Sequence, residues 1–66
     1  MSYKVIFKDL NEERELSGKT TIRNLLEDLN ISSETVVTKQ NGEVVIEDSQ
    51  IEDGDEIQII QIIYGG

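Results

Sequence analysis

The 66-residue chain contains no cysteine, histidine, proline or tryptophan, and only two tyrosines and one phenylalanine. Without cysteine there is no disulfide framework, and a reducing cytoplasm is the natural setting. Without cysteine and histidine, most metal sites and most nucleophile–base pairs are excluded. No run of about 20 apolar residues is present to span a bilayer, and "MSYKVIFKDL" lacks the pattern of a secretory signal. Basic residues are also scarce. Six Lys and Arg stand against fourteen Asp and Glu, a formal charge of −8. Nucleic acid and anionic membrane surfaces, which require cations, are therefore unsuitable partners. The charge fits a soluble monomer, or a protein that docks on a basic partner.

The length predicts one domain. A chain of this size buries only about 60% of its unfolded surface, so its core is thin. Ile, Leu and Val supply nearly all of the 36% apolar fraction.

"YKVIFK" (3–8) alternates and is rich in β-formers, which predicts a strand with Tyr3, Val5 and Phe7 inward and Lys4, Ile6 and Lys8 outward. "DLNEE" reads as a polar turn, and "ERELS" as the returning strand with Leu16 inward, ended by Gly18. "TTIRNLLEDLN" is the one clear helix. Ile22, Leu25, Leu26 and Leu29 fall at i, i+3, i+4 and i+7, an apolar stripe. Thr21 is its expected N-cap and Asn30 its left-handed stop. A helix this short is marginal alone and must pack on a sheet.

In "ETVVTKQNGEVVIED", Asn41-Gly42 is the favoured pair for a type I′ hairpin turn. The register then sets Gln40 opposite Glu43 and Val37 opposite Ile46. Val37, Val44 and Ile46 make the more apolar face and are expected inward, with Val36 and Val45 outward. Turn chemistry follows at Asp53-Gly54-Asp55, with Ile51 as an apolar anchor beneath it. "EIQIIQIIY" (56–64) is the last strand. No repeat, linker or low-complexity stretch interrupts the chain. The predicted class is α+β: a mixed four- to five-stranded sheet with one helix covering one face.

The last strand is apolar on both faces towards its end. Ile57 and Ile59 are expected to meet the helix, which turns Ile60, Ile62 and Tyr64 outward. With Ile6, Val36 and Val45 they would form one exposed patch. Scattered surface apolar residues are a bland explanation; a contiguous patch on a small acidic protein points instead to a docking surface.

The chain then ends in Gly65-Gly66. A glycine pair can be a frayed end, yet these two follow the strand without a linker. A tail lacking Cβ atoms can thread a narrow channel and present its carboxylate in another protein's active site, with no side chain crowding the carbonyl. The expected organisation is one domain over residues 1–66 with a flexible tail at about 64–66.

Taken together, "TIRNLLEDL", "NGEVV", "IEDGDEIQII" and the terminal "GG" resemble, along the whole chain, the β-grasp family of ubiquitin and the sulfur-carrier proteins of thiamin and molybdopterin biosynthesis. The small archaeal modifier proteins share that group. Length and the "DGD" turn favour the sulfur-carrier branch. The resemblance implies a ubiquitin-like β-grasp fold and a chain that is not itself an enzyme. An adenylating enzyme of the ubiquitin-activating type would use ATP to activate Gly66, with Gly65 as the accessory glycine; no cofactor would be bound by the chain itself. Ile60 and Ile62 match positions where the activating enzyme docks in the family. Tyr64 is bulkier than many residues found before the glycines. A sulfur donor or acceptor enzyme, or target-protein lysines, would be the further partners. One outcome is a thiocarboxylate for thiamin, molybdopterin or tRNA thiolation; the other is an isopeptide bond to a lysine. A β-grasp interaction module with an inert tail is the alternative outside this chemistry. An enzyme built on Asp53, Asp55 and Glu56 is disfavoured, because acids beside a glycine are ordinary turn residues and so small a domain offers no deep pocket.

Overall fold

The computed structural model describes residues 1–62. β1 (Ser2–Phe7) and β2 (Leu10–Glu15) pair antiparallel from Phe7 opposite Leu10 to Ser2 opposite Glu15. The connection is thus Lys8-Asp9 alone, and the return strand starts at Leu10 rather than after "DLNEE". Lys8 adopts φ 54°, which closes the turn in two residues, and its ammonium lies 5.3 Å from the centre of the Phe7 ring.

A two-residue strand, β3 (Thr20–Thr21), leads into α1 (Ile22–Asp28). Thr21 caps the helix as expected. Its hydroxyl accepts from the Asn24 N–H, and the Asn24 side chain accepts in return from the Thr21 N–H, a reciprocal capping box. The next two amides are also satisfied: Ile22 N–H donates to the Ser49 carbonyl and Arg23 N–H to the Glu47 carbonyl. At the far end Asn30 sits at φ 59°. Asn30 N–H donates to the Glu27 carbonyl and Ile31 N–H to that of Leu26, a Schellman closure that folds Ile31 back against the core. Seven helical residues could not hold this shape in water by themselves. The caps and the burial of Ile22, Leu25 and Leu26 hold it.

A short 3₁₀ turn (Ser33–Thr35) precedes β4 (Val36–Gln40), which pairs with β5 (Glu43–Val45) across Asn41-Gly42. Both loop residues have positive φ, 54° and 89°, as a type I′ turn requires. β6 (Gln50–Ile51) bridges back to β3, setting Ile51 in the core. The last element, β7 (Glu56–Gln61), enters the middle of the sheet. The strand order is β2-β1-β7-β4-β5, with β7 parallel to β1 and antiparallel to β4. This is a ubiquitin-like β-grasp: a mixed five-stranded sheet with one helix on one face.

The core lies between helix and sheet. Tyr3, Val5, Ile57 and Ile59 face Ile22, Leu25 and Leu26, with Val36 and Ile51 closing the sides and Phe7, Leu16, Leu29 and Val45 half-buried against the cluster. The second hairpin has the opposite phase to that expected. Val36 is 8% exposed and Thr38 is buried, whereas Val44 is 67% and Ile46 72% exposed. Pairing with β7 decides this. Thr38 lies opposite Ile59 and Val37 opposite Ile60; since Ile59 faces the helix, Thr38 and Val36 must do so too, and Val45, opposite Thr38, follows. The expected Val37–Ile46 pair lies beyond the ladder, because the Ile46 carbonyl accepts from Ser49 N–H and the chain turns away.

The phase is open to a direct test. Val36→Ala should cost about 1.5–3 kcal/mol of unfolding free energy, the loss expected for a buried aliphatic side chain. Val44→Ala should stay within about 0.5 kcal/mol, as exposed substitutions do. Urea denaturation of the two variants measures both.

Candidate functional site

The last strand is central in space although it comes last in sequence, so its neighbours determine where its end points. On one side β1 stops pairing at Phe7 opposite Ile59. On the other, β4 continues to Val36 opposite Gln61, and Ile62 N–H donates to the Thr35 carbonyl at 2.9 Å. The chain therefore leaves the sheet beside the 3₁₀ turn, at the same end of the sheet as the Lys8-Asp9 turn. Ile63, Tyr64, Gly65 and Gly66 lie outside the described residues, and so do the expectations placed on Tyr64 and on the two glycines.

The face of the sheet away from the helix carries the apolar group anticipated around β7, with two changes of membership. Ile60 is 38% exposed; Ile6 and Ile62 are half-buried. Val37, directly opposite Ile60, joins them, and Val44 extends the group towards the sheet edge beyond Lys39. Val36 and Val45 do not belong: both point to the helix side and pack on the core. Simple counting of apolar residues misplaced them. The β-branched Thr38 and the register with Ile59 carry the correct signal. Lys4 and Lys39 share this outer face, Lys4 between Glu13 and Glu56 in the neighbouring strands and Lys39 opposite Gln58. The patch is thus an apolar centre with cations beside it, on a molecule whose overall charge is strongly negative.

What holds β7 in place is the turn before it. Gly54 at φ 85° lets the chain double back so that Asp55 points inward; that side chain is only 9% exposed. Its carboxylate accepts from the Glu52 N–H at 2.8 Å, from Asn41 Nδ2 at 2.9 Å and from Gln40 Nε2. Gln40 also donates to the Gln50 carbonyl and accepts from Ser49 Oγ. The Asn41 side-chain oxygen accepts from Glu56 N–H, while Asn41 N–H donates to the Glu56 carbonyl. On the β1 side, Lys4 N–H donates to the Asp55 carbonyl, Gly54 N–H to that of Ser2, and Ser2 N–H to the Asp53 carboxylate. Burial alone would push the Asp55 carboxyl up; the hydrogen bonds from Asn41, Glu52 and Gln40 outweigh it and hold the group below its ordinary value.

The acids of this turn therefore have structural partners. Asp53 secures the start of β1, Asp55 is saturated by three donors, and Glu56 stands exposed beside Lys4. Among the described residues no group of three or more carboxylates forms a metal cluster, and none of these acids is paired with another in the manner of an acid–base couple. The sequence signals the turn but gives no hint of the Gln40 and Asn41 donors, which arrive from another hairpin.

Because the folded-state value of Asp55 is depressed, its contribution to stability is present above the ordinary carboxylate range of about 4 and is lost as pH falls through the lower folded-state value. Asp55→Asn should remove that dependence and set an amide against existing donors, costing about 1–3 kcal/mol at neutral pH. Chemical denaturation from neutral to acid pH should show a lower plateau and a shallower acid limb for the variant.

Comparison with known proteins agrees with this architecture. A putative molybdopterin converting factor, subunit 1, from Pyrococcus furiosus superposes with TM-score 0.76 at 20% identity, covering 94% of this chain and 98% of its own. SAMP1 from Haloferax volcanii gives 0.75 at 17% identity with complete coverage of both chains. A chain from the complex of subunits 1 and 2 of molybdopterin-converting factor from Helicobacter pylori gives 0.71 at 18%, again with complete coverage. At these identities the structures establish a shared fold. The family model described as the ThiS family matches residues 4–66, which takes in both strands of each hairpin, the Asp53–Asp55 turn and the closing glycines, and so the chain belongs to the ThiS family of ubiquitin-like sulfur carriers and modifiers.

Proposed function

We propose that this protein is a cytoplasmic sulfur carrier whose Gly66 carboxylate is the working group. The observation that supports the reading most strongly is continuity: the family match runs unbroken through the central strand to Gly66, and that strand carries an outward apolar patch just before the tail. The helix and core keep the patch and the exit of β7 in a fixed relation, so an enzyme gripping Ile60, Val37 and Ile6 would receive the following residues at a set distance. Prepaying orientation in this way is what raises the rate of a reaction between two proteins.

The chemistry is that of carboxylate activation. A Gly66 carboxylate oxygen attacks the α-phosphorus of ATP held by an adenylating partner, and pyrophosphate leaves. The acyl adenylate is a mixed anhydride. The terminal sulfur of a partner's persulfide attacks its carbonyl, AMP departs, and an acyl disulfide results. A thiol reductant then cleaves the sulfur–sulfur bond and leaves a thiocarboxylate on Gly66, ready for transfer to an acceptor enzyme. The chain supplies no catalytic group and binds no cofactor; it is a co-substrate, and ATP belongs to the partner. Glycine at positions 65 and 66 leaves the carbonyl unhindered. The complex of subunits 1 and 2 of molybdopterin-converting factor among the similar structures supports a protein partner in sulfur transfer. Attack on the same adenylate by a target lysine would give the modifier outcome, favoured if the native host yields isopeptide conjugates.

Incubation with a cognate adenylating enzyme, ATP, a persulfide donor and a thiol reductant should raise the intact mass by one oxygen-to-sulfur exchange. Deletion of Gly66 should abolish the change while leaving the fold and enzyme docking intact. Ile60→Asp should keep the fold and weaken docking by at least about tenfold, or about 1.4 kcal/mol. An unchanged mass with every adenylating enzyme of the host would refute the assignment.

A further inference from the structure

The six basic side chains of this acidic molecule are not equivalent. Arg14 is bridged to Glu12 and Asp28, and Arg23 to Glu47 and Asp48. Lys8 lies over the Phe7 ring. Lys4 stands between Glu13 and Glu56 in the neighbouring strands. Lys19 is exposed in the loop before β3. Lys39 differs from all of these. It is half-buried, where the other lysines are exposed, and among the described residues no carboxylate bridges it.

Its surroundings follow from register. Across the ladder Lys39 meets Gln58 on β7 and Val44 on β5. Its neighbour on the same face of β4 is Val37, which lies opposite Ile60. Along the direction of β7 the outer face therefore runs from a charged end, Glu56 beside Lys4, through Gln58 beside Lys39, to an apolar end, Ile60 beside Val37. The tail leaves from the apolar end. Lys39 marks the border. Glu56, one step back along β7 on this face, already stands opposite Lys4.

A surface that seats on Ile60, Val37 and Val44 takes water from the ammonium group they adjoin. A charge desolvated without a counter-ion is costly, whereas one met by a hydrogen-bonded carboxylate is not. A counter-surface that is wholly apolar is thus penalised at this point, and one that carries an acid is accepted. A second copy of this chain adds a further charge of −8 and is repelled as a whole.

We propose that Lys39 is a specificity-determining residue: the partner that docks on the outer face is an apolar surface bearing an aspartate or glutamate, which pairs with the Lys39 ammonium. The role presupposes that an adenylating enzyme docks on this face, as the sulfur-carrier reading requires. Apolar contact at Ile60 and Val37 supplies area, and the ion pair fixes which enzyme fits and in which orientation.

The test uses the full chain and a cognate adenylating enzyme of the host. Biolayer interferometry without ATP gives Kd, and ATP–pyrophosphate exchange gives KM for the chain and kcat. Lys39→Met should raise Kd and KM at least about fivefold, and Lys39→Glu at least about tenfold, with kcat kept, because Lys39 is remote from the reacting carboxylate. Lys39→Arg should bind within about threefold of the unaltered chain. Urea midpoints should match among all four, since the altered position is on the outer face. A purely apolar counter-surface gives the opposite sign, with Lys39→Met binding more tightly. That result, equal binding by Lys39→Glu, a loss that falls on kcat, or self-association through this face in sedimentation overturns the role of Lys39 and leaves the sulfur-carrier reading standing. Failure of the unaltered chain to dock on any adenylating enzyme of the host overturns both.

Discussion

The buried carboxylate of Asp55 is the interaction on which the sheet depends. Three donors converge on it: the Glu52 N–H of its own turn, and the Gln40 and Asn41 side chains of the distant second hairpin. A buried carboxylate is tolerable only when its lone pairs are met by hydrogen bonds, and here that requirement fixes positions. Gln40 can reach Asp55 only from the inner face of β4. That puts Thr38 and Val36 inward and Val37 outward. A slip of one residue would withdraw the Gln40 donor, turn Val36 out of the core and reverse every side chain of the hairpin.

The same constraint defines the outer surface. With one helix available, only one face of the sheet can be covered. The apolar residues that parity leaves on the other side, Ile6, Val37, Ile60 and Ile62, sit together because β7 runs between β1 and β4. Its neighbours come from both hairpins, so the patch is assembled from three parts of the chain. Lys4 and Lys39 border it, with Glu13 and Glu56 on either side of Lys4.

The turns make this economical of residues. Asn30, Asn41, Gly42 and Gly54 all adopt positive φ, and each redirects the chain within two or three positions. The helix needs little length because Thr21 and Asn24 close one end, Asn30 and Ile31 the other, and the carbonyls of Ser49 and Glu47 accept from its first amides. The loop supplying those carbonyls is in turn held by the β3–β6 bridge and by Ile51 in the core.

The sequence by itself determined the local events. The helix stripe, its Thr21 cap and Asn30 stop, the Asn41-Gly42 hairpin, the glycine turn at Asp53–Asp55 and the inward Ile57 and Ile59 all rest on propensities and spacings within about ten residues, which a linear reading captures. The alternation that put Ile60 and Ile62 outward was legible for the same reason. The tertiary structure alone decided the phase of the second hairpin, because Val36 and Thr38 owe their burial to pairing with a strand some twenty positions further on and to the Gln40–Asp55 bond. It alone placed Val37 and Val44, rather than Val36 and Val45, on the outer face, and it alone turned Asp55 from a surface turn residue into the buried centre of the sheet's hydrogen bonding. Those outcomes depend on which strands become neighbours, and neighbours are chosen by the whole chain at once.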